Sequence, residues 1–217
     1  MKIRVLLADD HKLFREGLCA LLDKHPDIEV VGEAEDGYQV LKMIQDISPD
    51  VTVIDVAMPG LNGIETARRI THNYPQIKII ALSMYSDRRL VAGMLGAGAL
   101  GYLLKDCAFD EVAKAIRTVA ANQTYLCPVI VDTVVKNYFH NIEKSDPLIL
   151  NNLTNRECEI LQLLAEGKTA KEIANNLFIS VKTVETHRQQ IMRKLNIYSI
   201  AELTKYAIRE GLTSLEK

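Results

Sequence analysis

Val51-Thr52-Val53-Ile54-Asp55-Val56-Ala57-Met58-Pro59-Gly60-Leu61-Asn62-Gly63 is an apolar, β-branched run that ends on a carboxylate and breaks at once into a Pro/Gly loop. β-Branched side chains suit a pleated, buried surface, so Val51–Ile54 reads as an interior strand. A carboxylate where a buried parallel strand gives way to its loop lies at the carboxyl edge of the sheet, where open α/β folds bind ligands. Asp55 is therefore the candidate reactive group. A lone aspartate at a strand end is more often a satisfied polar cap, so other residues must decide its reading.

Working outward, further strands are expected at Ile3–Ala8, Glu29–Ala34, Lys78–Leu82 and Gly101–Leu104. Helical periodicity falls at about Lys12–Lys24, Tyr38–Asp46, Ile64–Asn73, Arg88–Leu95 and Phe109–Ala121. Five strands alternating with five helices imply a doubly wound parallel sheet over residues 1–121, joined by right-handed crossovers. Asp36 with Gln39 forms a capping pair, Pro49 and Pro75 precede strands, and Gly96 and Gly98 end the fourth helix.

Residues 122–148 read as a linker. Val131, Val134, Val135 and Tyr138 predict a helix to about Phe139, and His140–Asn152, with Ser145-Asp146-Pro147, reads as a hinge. The domain boundary belongs near residue 145. Residues 149–217 switch to short helices without strands. Thr154 with Glu157, Thr169 with Glu172, and Ser199 with Glu202 have capping-box spacing, Ser180 caps another helix, and Gly167 and Gly211 close two. A small all-α module of four helices has a thin core and the habit of a binding domain.

The chain has 217 residues with 48% hydrophobic and 25% charged content, ordinary for a globular protein. Its four cysteines (Cys19, Cys107, Cys127, Cys158) contain no C-x-x-C pair, which argues against a zinc knuckle or redox motif and for reduced thiols. Met1-Lys2 leads straight into a strand, with no signal peptide and no membrane-length apolar run, so a cytoplasmic protein is expected. The formal charge of −2 hides an asymmetry: residues 1–121 carry 14 Lys/Arg against 17 Asp/Glu, and residues 151–217 carry 10 against 8. The basic excess lies at the back, the direction expected if only that part meets an anion.

Asp9 and Asp10 end the first strand as Asp55 ends the third. If those strands are neighbours, three carboxylates converge and repel by ~1–4 kcal/mol per pair, so a cation must join them. An all-oxygen site with open positions suits Mg2+, which keeps waters and bridges to phosphate. Lys105, ending the fifth strand, offers a second cation, and Ser83, ending the fourth, a hydroxyl.

In the second half, Ala170–Leu177, a turn at Phe178-Ile179-Ser180, and Val181–Leu195 form a helix-turn-helix pattern. At about 100° per residue, Val184, Ile191 and Leu195 face the core with His187 at the margin, while Lys182, Thr186, Gln189 and Arg193 share the opposite face. Gln suits adenine, Arg guanine, and Thr methyl or backbone contact. Arg188 and Lys194 flank the stripe and suit phosphates. Glu185 beside it keeps a plain solvated face in play.

These residues carry a resemblance. Asp9-Asp10, Asp55 followed by Met58-Pro59-Gly60-Leu61-Asn62-Gly63, Ser83, and Tyr102 with Lys105 resemble the receiver domain of two-component response regulators. Leu153-Thr154-Asn155-Arg156-Glu157, Glu166–Ala174, Val181–His187 and Met192-Arg193-Lys194-Leu195 resemble the LuxR-type DNA-binding domain. Together they resemble the NarL/FixJ subfamily, in which Lys-Asp, here Lys105-Asp106, often replaces the Lys-Pro of other receivers. Since a cis bond without proline costs about 2.5–4 kcal/mol, the geometry after Lys105 stays open.

The resemblance implies that a sensor histidine kinase phosphorylates Asp55. Mg2+ (or Mn2+) would be held by Asp10, Asp55 and the Ala57 backbone carbonyl, with Asp9 mostly behind them. Lys105 and Ser83 would hold phosphoryl oxygens, and Tyr102 would rotate inward as the hydroxyl moves. The second domain would place a recognition helix in the major groove, with Lys182, Thr183, Thr186, Arg188, Gln189, Arg193 and Lys194 as DNA contacts. A homodimer formed on phosphorylation would read an imperfect palindrome and act on RNA polymerase, away from any membrane. Such a chain is no enzyme beyond its own phosphoryl transfer and slow self-dephosphorylation.

Two alternatives are weighed. Haloacid dehalogenase-type phosphatases also form an aspartyl phosphate, but place a second Asp two residues after the nucleophile, where this chain has Ala57. A degenerate receiver that is never phosphorylated is opposed by the complete acidic set. Ala57 cannot orient water and Tyr85, two past Ser83, could screen a phosphoryl group. Phosphorylated protein in Mg2+ buffer is therefore expected to hold its label well beyond seconds; loss within seconds overturns that expectation.

Overall fold

A computed structural model describes residues 2–132, 134–135 and 153–213. The chain forms two compact units, residues 1–145 and 146–217.

In the first unit β1 (Ile3–Ala8), α1 (Lys12–Leu22), β2 (Ile28–Ala34), α2 (Gly37–Ile47), β3 (Val51–Asp55), α3 (Gly63–Asn73), β4 (Lys78–Ser83), α4 (Arg88–Gly96), β5 (Gly101–Leu104) and α5 (Lys105–Ala120) follow in turn. β6 (Tyr125–Leu126) and a helix, α6, described at 128–132, 134 and 135, complete it. The strands are all parallel in the order β2-β1-β3-β4-β5-β6. Because β1 has β2 on one side and β3 on the other, the chain reverses its direction of winding between β1 and β3, leaving a crevice beyond their carboxyl ends. Ala8 lies opposite Ile54, so Asp9 and Asp55 follow at neighbouring strand ends.

Every residue of β3 is buried, as a strand with helices on both faces requires. The side chains of α2 and α3 that face inward, Val40 and Ile44 with Ala67 and Ile70, are buried beside it. Asp36 and Asn62 cap these helices by accepting from Gln39 N–H and Glu65 N–H. Asn62 ends the loop that returns from β3, so the cap also anchors that loop.

Two details differ from the sequence expectation. The sheet has six strands rather than five, because Tyr125 N–H donates to Leu100 O and Cys127 N–H to Tyr102 O. A strand of two residues has no periodicity to read; it exists because β5 leaves a free edge. Cys127 and Ile130, in the segment taken as linker, are buried in the first unit's core. Secondly, α5 begins at Lys105 rather than Phe109, with no loop after β5. Asp106 stands in its first turn, where a negative charge meets the positive end of the helix dipole. No cis peptide occurs among the described residues, so the Lys105–Asp106 bond is trans. The expected end of the linker helix near Phe139, the hinge over His140–Asn152 and the boundary near residue 145 lie outside the described residues.

The second unit contains α7 (Asn155–Ala165), α8 (Ala170–Asn176), α9 (Val181–Leu195) and α10 (Ile200–Arg209). Thr154 with Glu157 and Thr169 with Glu172 form complete capping boxes, and Ser180 caps α9 through Thr183 N–H. Ser199 makes no side-chain cap on α10, so the third expected box does not form. Gly167 and Gly211 take positive φ after α7 and α10, as helix-closing glycines do. Ile160, Leu161, Ile173, Val184, Ile191 and Leu203 make the centre of this core.

Gly63 permits the tight return of the loop onto β3: a Cβ there would collide with the Asp55 carbonyl oxygen and stand 2.9 Å from Val56 Cα. Both are backbone atoms, so Gly63→Ala should destabilise the first unit by ~1–3 kcal/mol in urea unfolding. An unchanged midpoint would mean that the loop can move aside without loss.

Candidate functional site

The carboxyl edge of the sheet gathers what the sequence placed at separate strand ends. Lys105 Nζ lies 2.7 Å from Asp9 Oδ2 and 2.8 Å from Asp55 Oδ2, and all three side chains are buried. Burial drives the Asp55 carboxyl up to about 6; Lys105 pulls it down and Asp9 pushes it further up. For Lys105, burial works against the charge, yet Asp55 and Asp9 win and hold the ammonium above its ordinary range. The charged pair is thus the stable form of a lysine that would otherwise be out of place in the interior.

Asp10 stands at the rim, more open than Asp9. Ala57 turns back on the site, its N–H donating to Asp55 Oδ1 at 3.3 Å. Ser83 Oγ accepts from Tyr85 N–H at 3.0 Å. Tyr102 is fully buried, with its hydroxyl donating to Tyr85 O at 3.2 Å and touching Ser83. Burial pushes its phenol above the ordinary range. Tyr102 thus faces inward in this structure, its hydroxyl received by the Tyr85 carbonyl.

Two neighbours were missed in the sequence. Arg15 is buried, donates to the Asp9 carbonyl oxygen at 2.5 Å, and pairs with Glu33 at 2.8 Å and Glu35 at 3.2 Å. It buttresses the β1 end from below, and its partners are on β2 and just after it, which no local spacing reveals. His11 Nδ1 lies 3.2 Å from Asp9 Oδ1 and 3.0 Å from Asp10 Oδ1. Asp9, Asp10, His11 and Asp55 each offer a donor atom within 4.8 Å of the others, the one such group found among the described residues. Adjacency to Asp9-Asp10 was the signal that could have found it.

In the second unit, Lys182, Thr186, Gln189 and Arg193 are all exposed along α9, while Val184 and Ile191 on its other face are buried. The remaining three expected DNA contacts have other engagements. Thr183 joins the helix cap, its Oγ1 2.8 Å from Ser180 Oγ. Arg188 pairs with Glu185 at 2.8 Å. Lys194 Nζ lies 2.7 Å from Glu157, whose side chain is only 3% exposed. Burial raises the Glu157 carboxyl, but Lys194 and the Thr154 donors outweigh it and hold it below the ordinary range.

Both units match known families. Residues 5–117 match the response regulator receiver domain, and residues 151–207 match the bacterial regulatory proteins of the luxR family. The transcriptional regulatory protein LiaR of Bacillus subtilis is 42% identical over 212 residues, spanning 98% of this chain and 100% of LiaR. This chain belongs to the NarL/FixJ-type response regulators. The oxygen regulatory protein NreC of Staphylococcus carnosus is 38% identical, covering 97% of this chain and 99% of NreC. Among solved structures, the RcsB response regulator in complex with DNA is similar at 26% identity and a TM-score of 0.60, covering 95% of this chain and 98% of that one.

The response regulator thus joins a receiver to a LuxR-type DNA-binding domain and acts in two-component transcriptional control. Among its described residues no helix is long and apolar enough to cross a membrane.

The Lys194–Glu157 pair yields a pH test. Lys194→Ala should destabilise the DNA-binding domain by ~1–2 kcal/mol, the partial exposure of the ammonium moderating the loss. Since the Glu157 carboxyl is held low, its contribution is present above the unfolded pKa of about 4.3 and disappears as pH falls through the folded value. The stability gap between wild type and Glu157→Gln should therefore close on acidification; a gap constant with pH would refute the pairing.

Proposed function

We propose that Asp55 is the phosphoacceptor of this response regulator, charged by a sensor histidine kinase, and that its phosphorylation controls dimerisation and promoter binding. The observation that carries this is the buried Lys105 ammonium, shared between Asp55 and Asp9 at the topological switch point.

In the reaction, an Asp55 carboxylate oxygen attacks the phosphorus of the donor phosphohistidine, and the P–N bond breaks as the P–O bond forms. Lys105 holds a phosphoryl oxygen by charge, Ser83 donates its hydroxyl to another, and the Ala57 N–H fixes the accepting carboxylate. Asp10, Asp55 and the Ala57 carbonyl, with Asp9 behind them, would hold Mg2+ (or Mn2+), and the acidic donor set fits a hard divalent ion. When bound, that ion supplies neutralisation of the charge on the transferred group. Ala57 and Tyr85 slow hydrolysis, leaving the protein a switch rather than a turnover enzyme.

The output runs through the Ser83–Tyr85–Tyr102 group. A phosphoryl group drawing on Ser83 would displace Tyr85 N–H from its Oγ, shifting the segment between β4 and α4 and the surface it presents. A homodimer would then set two α9 helices on an imperfect palindrome, with Lys182, Thr186, Gln189 and Arg193 toward base edges. Thr183, Arg188 and Lys194 contribute to DNA binding mainly by supporting the helix. Receiver and effector are joined through the residues that follow residue 135, and the assembly works on RNA polymerase in the cytoplasm.

Incubation of the full chain with a small phosphodonor and Mg2+ tests the centre of this reading. Wild type should take up one phosphoryl group per chain and Asp55→Ala none, with footprinting of a palindromic operator strengthened only for the former. Absence of uptake by wild type would favour a receiver used as a phosphorylation-independent interaction module, and rapid release of free phosphate a phosphatase.

A further inference from the structure

His11 is left without a role by the phosphoryl chemistry, yet its imidazole sits among the carboxylates. Nδ1 lies 3.0 Å from Asp10 Oδ1 and 3.2 Å from Asp9 Oδ1. Lys105 occupies the other oxygen of Asp9 and one of Asp55, at 2.7 and 2.8 Å. Lys105 Nζ also comes within 3.5 Å of His11 Nδ1, so ammonium and imidazole share one cluster around Asp9, the ammonium nearer Oδ2 and Asp55 and the imidazole nearer Oδ1 and Asp10.

Ionised carboxylates only accept hydrogen bonds, so a ring nitrogen this close to two of them calls for a positive centre between them, and the Lys105 ammonium, at 3.5 Å from Nδ1, stands at the limit of reach. A metal ion placed there would take the nitrogen lone pair and both oxygens as ligands about a common point. Neighbouring ligands of an octahedral ion with bonds of about 2.0–2.2 Å stand about 3 Å apart, close to the spacing found here. The donor set is then one imidazole nitrogen with carboxylate oxygens. Mg2+ gains little from nitrogen, whereas first-row transition ions bind it well, with affinity rising from Mn2+ toward Co2+ and Ni2+.

We propose that His11 is a metal ligand through Nδ1 and makes this receiver selective for a first-row transition ion over Mg2+. The proposal rests on the reading of Asp9, Asp10 and Asp55 as a metal centre. It assigns the selectivity of that centre to one side chain that is half exposed and makes no contribution to the core, so its removal should leave the fold intact.

The test is calorimetric titration of the tag-free full chain with Mg2+ and with Co2+, for wild type and His11→Ala, together with pulsed electron paramagnetic resonance of bound Mn2+. Wild type should bind Co2+ at least about tenfold more tightly than Mg2+. His11→Ala should lose at least about tenfold in Co2+ affinity while its Mg2+ affinity stays within about threefold. The Mn2+ spectrum should carry a nitrogen coupling in wild type that is absent from the variant. Equal affinity changes for both ions, no change for either, or no nitrogen coupling in wild type would overturn the role of His11 while leaving the carboxylate metal centre standing. Failure of wild type to bind either ion would overturn both.

Discussion

Acidic side chains brought together at a sheet edge repel one another, and burial makes each charge costlier still. The first unit resolves this conflict with one ammonium: Lys105 stands between Asp9 and Asp55, residues almost 100 and 50 positions away. Removing the amine would leave two buried carboxylates unneutralised, and removing both carboxylates would strand a buried amine. The parallel sheet exists, in functional terms, to make these three groups meet. A charge drawn to that edge, whether a phosphoryl group or a cation, alters the same balance and is felt by every residue in it.

The DNA-binding domain uses the same physics for another end. Glu157 is needed at the start of α7, where its carboxylate satisfies Thr154, but it is almost fully buried there. Lys194, at the far end of α9, neutralises it across a separation of 37 residues. One of the cations of the basic helix is thereby a structural tie between the end of α9 and the start of α7. What α9 presents outward is the narrower line of Lys182, Thr186, Gln189 and Arg193. The orientation of a recognition helix and the chemistry it displays are set by different residues on it.

Much of this was legible in the linear chain. Strand ends coincide with Asp9, Asp55, Ser83 and Lys105, and the helical period separated Val184 and Ile191 from the four exposed residues of α9. Capping pairs at Asp36, Thr154, Thr169 and Ser180 were readable because a cap spans only about three residues. Ser199 shows the limit of that rule: the spacing to Glu202 is right, but no side-chain bond forms. β6 and the start of α5 escaped because a two-residue strand and a helix joined directly to a strand leave no boundary signal. Arg15 escaped because its significance depends on Glu33 and Glu35, which no local spacing reveals, and His11 because adjacency to Asp9-Asp10 does not by itself show that its ring turns back onto them.

The sequence by itself determined the alternation of strands and helices, the two-part organisation, the family of the chain and the candidate for its reactive carboxylate. These follow from hydrophobic period, turn chemistry and residue type, all of which are local. Only the tertiary structure decided which distant charges pair, Lys105 with both Asp9 and Asp55, Lys194 with Glu157, and Arg15 with Glu33 and Glu35, and that Tyr102 lies inward beside Ser83. Coulombic and hydrogen-bond partnerships depend on distance in space and on burial, and neither is defined until the sheet and the helices have packed. The aspartate that ends Val51–Asp55 was visible from the start; the company that makes it chemically useful was assembled by the fold.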